Sequence, residues 1–276
     1  MDKKEDKLNK ITILGSGTST GIPIIGCQCE VCLSKNEKNR RFRTSIYLET
    51  KRDLTLLVDC TPDLRSQALA NDIRKIDGVI ITHDHADHAN GIDDLRAFTF
   101  AMDHDLPVYM EEKISKSLTK RFDYILDREN VFKDRPILGG GIAHLKKHLV
   151  KLNEENKIAN DLFYFFNLPH GHTKTLGFIH ESFAYIIDCN AIPKSVIEQL
   201  KSREIDLLIL DCVNAKKHNT HLTVETAFKY IREIKPKRCG LIHMGHDLDH
   251  KWLENLCKES FDFPVFPTFD GQILEY

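Results

Sequence analysis

The sequence is short of three things, and each shortage excludes a class of protein. The first is charge of one sign. Among 276 residues, 39 Lys and Arg stand against 41 Asp and Glu, leaving −2. No overall field calls for nucleic acid or an anionic membrane. The second is apolar length. Runs such as Leu207-Leu208-Ile209-Leu210 fall far short of the roughly 20 residues that span a bilayer. The N-terminal MDKKEDKLNK is charged with no apolar stretch behind it, so no signal peptide is expected. The third is repetition: there is no internal repeat and no low-complexity linker. A cytoplasmic, reducing location is the expectation, and cross-chain disulfides are not. The length suits one large domain over residues 11–276, behind a flexible tail over residues 1–10.

Soft metal ligands, by contrast, are plentiful: 8 Cys and 14 His. Their positions follow a β-rich pattern. Residues 44–50 and 54–59 read as a hairpin around a Lys-Arg-Asp turn. Residues 79–82, 107–110, 161–168, 207–211, 239–243 and 272–275 read as strands, and 176–180 with 183–188 as a second hairpin. Helices are expected after Pro62, over 112–126, from Pro193 to about residue 200, over 224–234 and over 249–258. Two β-rich halves, each followed by helices, predict two sheets face to face with helices outside. Gly139-Gly140-Gly141 lies in the stretch 127–147, which reads as a mobile loop or lid.

The strongest chemical signal is His83-Asp84-His85-Ala86-Asp87-His88, directly after an expected strand. Imidazoles and a carboxylate suit zinc, manganese or iron. One tetrahedral ion cannot take all four ligands at this spacing. Two adjacent ions can, one on His83 and His85 and one on Asp87 and His88. Asp84 reads as a group that orients a ligand imidazole. Asp188 ends a strand and is either a bridging carboxylate or a helix cap before Pro193. His172 lies just past another strand, with His170 as its competitor. His243 follows residues 239–242.

The second signal is Cys27-Gln28-Cys29-Glu30-Val31-Cys32. Three thiols at this spacing read as three ligands of a closed structural zinc site. The fourth comes from Cys60, Cys189, Cys212, Cys239, Cys257 or a histidine. Those five cysteines sit in apolar segments and read as small buried hydrophobes. Gly15-Ser16-Gly17-Thr18-Ser19-Thr20-Gly21 lacks the Lys-Ser/Thr of a phosphate loop. It either lines the site with backbone amides or turns the chain out of the first strand.

The HxHxDH run with the later His172, Asp188 and His243 resembles the metallo-β-lactamase superfamily, over nearly the whole chain from Ile11 to Tyr276. That resemblance implies an α/β fold, a four-layer αββα sandwich with a dinuclear site. His83, His85 and His172 would hold one ion, Asp87, His88 and His243 the other, and Asp188 would bridge. The Cys cluster, Thr61-Pro62-Asp63-Leu64-Arg65, Gly91-Ile92-Asp93-Asp94-Leu95-Arg96 and His243-Met244-Gly245-His246 resemble the phosphoribosyl 1,2-cyclic phosphate phosphodiesterases of the carbon–phosphorus lyase pathway and their relatives. By that likeness His246 completes the structural zinc site and His221 assists the substrate, with His218 its nearby competitor. A relative in quinone-cofactor biosynthesis shares the Cys cluster but lacks the intact HxHxDH. The redox branch of the superfamily usually has Glu where His85 stands.

The implied cofactors are two divalent ions, Zn or Mn, and one structural Zn. The implied reaction is hydrolysis of a small, cyclic ribose phosphodiester by a hydroxide shared between the ions, with Asp87 and His221 as catalytic groups. The rivals are a ribonuclease Z-like tRNA 3′ endonuclease and a thioester or lactone hydrolase. A small-molecule partner and a homodimer are expected, and a membrane or nucleic acid is not.

Overall fold

In the computed structural model, residues 7–100, 102, 104–133, 141–216 and 218–276 are described. Strands β1 (Lys10–Gly15), β2 (Ser45–Glu49), β3 (Thr55–Val58), β4 (Gly78–Ile80), β5 (Leu106–Met110) and β6 (Leu145–Leu149) lie side by side in sequence order in the first sheet. The second sheet holds β7 (Glu155–Ile158), β8 (Asp161–His170), β9 (Thr173–His180), β10 (Phe183–Ile186), β11 (Leu207–Asp211), β12 (Arg238–Ile242) and β13 (Val265–Pro267). The chain then returns, and β14 (Ile273–Glu275) pairs with β1 at the edge of the first sheet. Each sheet opens with antiparallel pairs and continues with parallel ones, β3 to β6 in one and β10 to β13 in the other.

Alternation along the strands builds the layers, because successive side chains point to opposite faces. In β11, Leu207 and Ile209 face the other sheet, while Leu208 and Leu210 face the helices. In β10, Phe183 and Tyr185 point inward and Ala184 and Ile186 outward. In β3, Leu56 and Val58 join the inter-sheet core, and Leu57 the outer one. Such strands read as continuous apolar runs because both faces are covered. The middle layer contains Ile11, Ile13, Phe163, Phe165 and Phe178, all fully buried. Helices Lys194–Ser202, Val224–Ile234 and His250–Ser260 cover the second sheet. Leu64–Ala70 and Glu112–Arg121 cover the first. The two sheets with helices outside are therefore as the pattern predicts.

Several details differ from expectation. The helix expected over 112–126 breaks at Phe122, whose backbone turns to φ −127° and ψ 48°, and resumes at Asp123–Leu126. The stretch 127–147 holds a helical turn, Arg128–Val131, and the start of β6. Residues 134–140, with Gly139 and Gly140, lie outside the described residues. Strands β6 and β7 escape a hydrophobicity reading because, as edge strands, they carry Lys146, Lys147, Glu155 and Lys157 on exposed positions. Of the expected tail, residues 1–6 lie outside the described residues, but Asn9 is buried and bonded to Glu181, and Lys10 opens β1. Among the described residues, no helix is long and apolar enough to cross a membrane.

Candidate metal centre

The carboxyl ends of β3, β4, β8, β10, β11 and β12 deliver the polar residues of the site. Loops at such ends are where an open α/β sheet places ligands. Three of these residues have left-handed backbones: Asp59 (φ 64°), Asp188 (φ 46°) and His243 (φ 64°). Non-glycine residues rarely adopt this region, and strain of that kind collects at functional sites.

His83, His85 and His170 bring ligand atoms within 4.8 Å of one another, and so do Asp87, His88, Asp188 and His243. Asp188 joins the two groups. Its Oδ2 lies 3.5 Å from His83 Nε2, 3.4 Å from His88 Nε2 and 3.9 Å from His170 Nε2. Its Oδ1 lies 3.2 Å from His243 Nδ1. Asp188 therefore faces the cluster, and the helix after it is capped at Pro193, not by this carboxylate. Among the described residues, His83 Nε2, His88 Nε2 and Asp188 Oδ1 are buried without hydrogen-bond partners. Buried polar atoms with no partner are costly. Here they converge on shared space, which divalent cations would satisfy.

The charge balance points the same way. Burial works against charge on His88, but Asp188, Asp87 and Asp59 raise it well above the ordinary imidazole value. Burial would lift the Asp188 carboxyl, yet His243, His88 and His83 hold it well below the usual range. Burial drives His83 far down and lowers His170 and His243, leaving neutral imidazoles of the kind that bind metal.

Outer groups fix the ring orientations. Asp59, fully buried, accepts from His88 Nδ1 at 2.8 Å and from the backbone and hydroxyl of Thr82, both at 2.8 Å. His170 Nδ1 donates to the Thr220 carbonyl at 2.9 Å. His243 lies between the hydroxyls of Thr44, 3.0 Å from Nδ1, and Thr18, 3.1 Å from Nε2. The Gly15–Gly21 segment thus reaches the site through the Thr18 side chain. Asp211, at the end of β11, accepts from His221 Nδ1 at 3.2 Å. The His221 ring stacks 4.9 Å from His243 and meets His170 edge-on at 4.7 Å. Burial opposes charge on His221, but Asp211 outweighs it and raises the imidazole to about 9. His218 is exposed beside it, with ring centres 5.0 Å apart.

The cysteine cluster sits on the far side of the same turn. His246 Nδ1 lies 3.3, 3.6 and 3.8 Å from the sulfurs of Cys27, Cys29 and Cys32. A tetrahedral ion with sulfur at about 2.3 Å and nitrogen at about 2.1 Å has an S···N edge of about 3.6 Å. The donor set and its spacing fit a zinc-type ion. Cys60, Cys189, Cys212, Cys239 and Cys257 are buried and uncommitted, as expected of core residues.

Two sequence expectations are corrected. His172 is exposed at the β8–β9 turn, where Gly171 takes φ 59°, while His170, the last residue of β8, points inward. The place beside His83 and His85 belongs to His170. His172 instead lines an open cleft of about 390 Å³ with Asp84, Glu111, Lys113 and Lys174. Among the described residues, Asp84 hydrogen-bonds no imidazole. Its carboxylate accepts from the Ser117 hydroxyl, and its carbonyl from Arg121. Asp59 and Asp211 were not singled out from the sequence. The available signal was an aspartate closing an apolar strand run, at 54–59 and at 207–211.

The family model for the beta-lactamase superfamily domain matches residues 55–244. A crystal structure of a diphosphatase from the PhnP family is 33% identical, with TM-score 0.85, covering 97% of this chain and 98% of that one. An octanoyltransferase of Porphyromonas gingivalis is 36% identical over 234 residues, 85% of this chain but 45% of that protein. The chain therefore spans less than half the length of that relative. The human tRNase Z short form, at 17% identity and TM-score 0.64 over 96% of this chain and 98% of that one, shares the fold.

Proposed function

The chain belongs to the metallo-β-lactamase superfamily of hydrolases, and from that membership we propose a metal-dependent phosphodiesterase acting on a small, cyclic ribose phosphodiester. The observation that carries the reading is the His221–Asp211 pair, a proton donor held beside the two ligand groups that Asp188 joins. A phosphodiester needs such a donor because its leaving group departs as an alkoxide.

His83, His85 and His170 would hold one divalent ion, and Asp87, His88 and His243 the second, with Asp188 between them. Bound there, the ions supply Lewis acidity and a water whose pKa falls from 15.7 to about 7. The chain's own residues do the rest. Asp59 keeps the His88 Nδ1 proton, so Nε2 is the face offered to the site. The Thr220 carbonyl does the same for His170. His221, whose Nδ1 proton is held by Asp211 and whose imidazole Asp211 raises above its ordinary value, would give its one remaining ring proton, on Nε2, to the departing oxygen. The fixed donor arrangement costs no reorganisation during the reaction.

The octanoyltransferase name does not carry an acyl-transfer reading here, since the match covers less than half of that protein. The near-zero net charge favours a small soluble substrate over a nucleic acid, and a cytoplasmic homodimer remains part of the proposal. The test is a substrate panel: 5-phosphoribosyl 1,2-cyclic phosphate, a 2′,3′-cyclic nucleotide, a nitrophenyl diester, a precursor tRNA, a thioester and a lactone. Turnover of the cyclic phosphodiesters above the others supports the reading. Turnover of the thioester or lactone with none of the diesters sinks it.

A further inference from the structure

His243-Met244-Gly245-His246 carries a ligand candidate of the paired cluster at one end and of the cysteine cluster at the other. These four residues are packed with little freedom. The Met244 backbone donates to Ser16 at 2.9 Å and accepts from Thr18 at 3.1 Å. Gly245 donates to the Val213 carbonyl at 2.8 Å. A Cβ on Gly245 would come within 2.8 Å of both that carbonyl and the Asn214 side-chain amide, so the position has no room for a side chain.

Arg41 lies beneath this turn, 2% exposed. Its Nη1 donates to the Gly245 carbonyl at 3.0 Å, and its Nη2 to the Leu248 carbonyl at 2.7 Å and to Asn39 Oδ1 at 3.2 Å. Its backbone pairs in both directions with Ile22, both bonds 2.8 Å, at the entrance to the loop of Cys27, Cys29 and Cys32. Burial pulls the guanidinium down to about 10 against the opposing charges of Asp270 and Asp249, so it stays charged at neutral pH. Among the described residues, this buried charge bonds only the neutral oxygens of Asn39, Gly245 and Leu248 and leaves its Nε without a partner, which is expensive unless the guanidinium fixes something. Neighbouring Phe42 is fixed as well, donating its N–H to Asp270 at 2.6 Å.

We propose that Arg41 is a positioning residue that couples the two metal clusters. By clamping the 245–248 carbonyls to the base of the cysteine loop, it holds His246 on the sulfurs and His243 on Asp188 in a single register. Occupancy of the cysteine cluster then raises the affinity of the paired cluster, and the reverse follows by linkage. The inference rests on both clusters being metal centres.

The test measures zinc affinity of the full-length protein by competition with a chromophoric chelator, with ions per chain counted in parallel. Cys29→Ser removes the structural ion without touching the paired cluster. It is expected to weaken zinc binding there by about tenfold or more. Arg41→Met is expected to weaken both clusters. Arg41→Lys, which keeps the charge but cannot serve both carbonyls, falls between and guards against a misfolded methionine variant. Val196→Ala, a buried apolar position in the helix Lys194–Ser202 that belongs to neither cluster, is a control for general destabilisation and is expected to leave both affinities unchanged. Unchanged affinity of the paired cluster in Cys29→Ser that has lost its ion overturns the coupling. So does an equal loss in Val196→Ala. Wild-type protein that binds no zinc at either cluster instead overturns the reading of the clusters as metal centres.

Discussion

Asp211→Asn isolates the electrostatic half of the proposed chemistry. Asp211 Oδ2 is 3.2 Å from His221 Nδ1 and also accepts from the backbone of Cys189 at 3.1 Å and Leu222 at 3.3 Å. An asparagine oxygen can retain the backbone bonds, so the fold survives while the charge is lost. His221 sits at about 9 because Asp211 outweighs burial, and without the charge burial remains. The imidazole then falls to about 6.5 or below. At pH 7.5 the protonated fraction drops from about 97% to about 9%, roughly tenfold. The assay is the pH profile of kcat on a diester with an alkoxide leaving group. Bound cations would lower the alkaline limb in both proteins, but the limb of Asp211→Asn should lie about two and a half units or more below that of wild type. The linkage has a matching sign. A folded pKa raised from 6.5 to about 9 contributes stability that is full below pH 6.5 and is lost as pH rises through 9. Metal-free wild type should therefore lose stability over that window, and Asp211→Asn should lose much less. Coincident alkaline limbs would refute the assignment of His221 as proton donor.

Other substitutions separate the remaining roles. His221→Ala should slow an alkoxide-leaving diester by roughly 10²–10⁴, and a nitrophenyl diester far less, because nitrophenolate leaves without a proton; paired rate measurements check this. His170→Ala should lower the metal content per chain while His172→Ala leaves it unchanged, and equal losses in elemental analysis would restore the sequence-based choice. Asp59→Ala should weaken metal binding by roughly 10–100-fold by freeing the His88 ring, which chelator competition reads directly.

The fold and the site were legible to different depths for physical reasons. Runs buried on both faces, such as Leu207–Asp211, announce themselves through unbroken hydrophobicity. Edge strands β6 and β7 do not, because solvent on one side admits lysine and glutamate. The HxHxDH run and the cysteine cluster are visible because several ligands fall within six residues. His170 against His172 could not be decided from spacing. Both flank Gly171, and only the register of β8 with β9, pairing His170 with Thr173, turns one inward and leaves the other at the tip. Asp59 acts on His88 29 residues away, Asp211 on His221 10 residues away and Arg41 on the Gly245 carbonyl 204 residues away, so the strand-end places of the two aspartates do not name their partners and nothing local marks Arg41.

The central claim is that one ion lies on the cysteines and two lie on either side of Asp188. Anomalous diffraction from crystals of purified, folded protein measures this directly. Three sites are predicted per chain: one among Cys27, Cys29, Cys32 and His246, and two about 3.5–4 Å apart flanking Asp188. A single ion, or none, within reach of Asp188 in metal-replete protein would contradict the account.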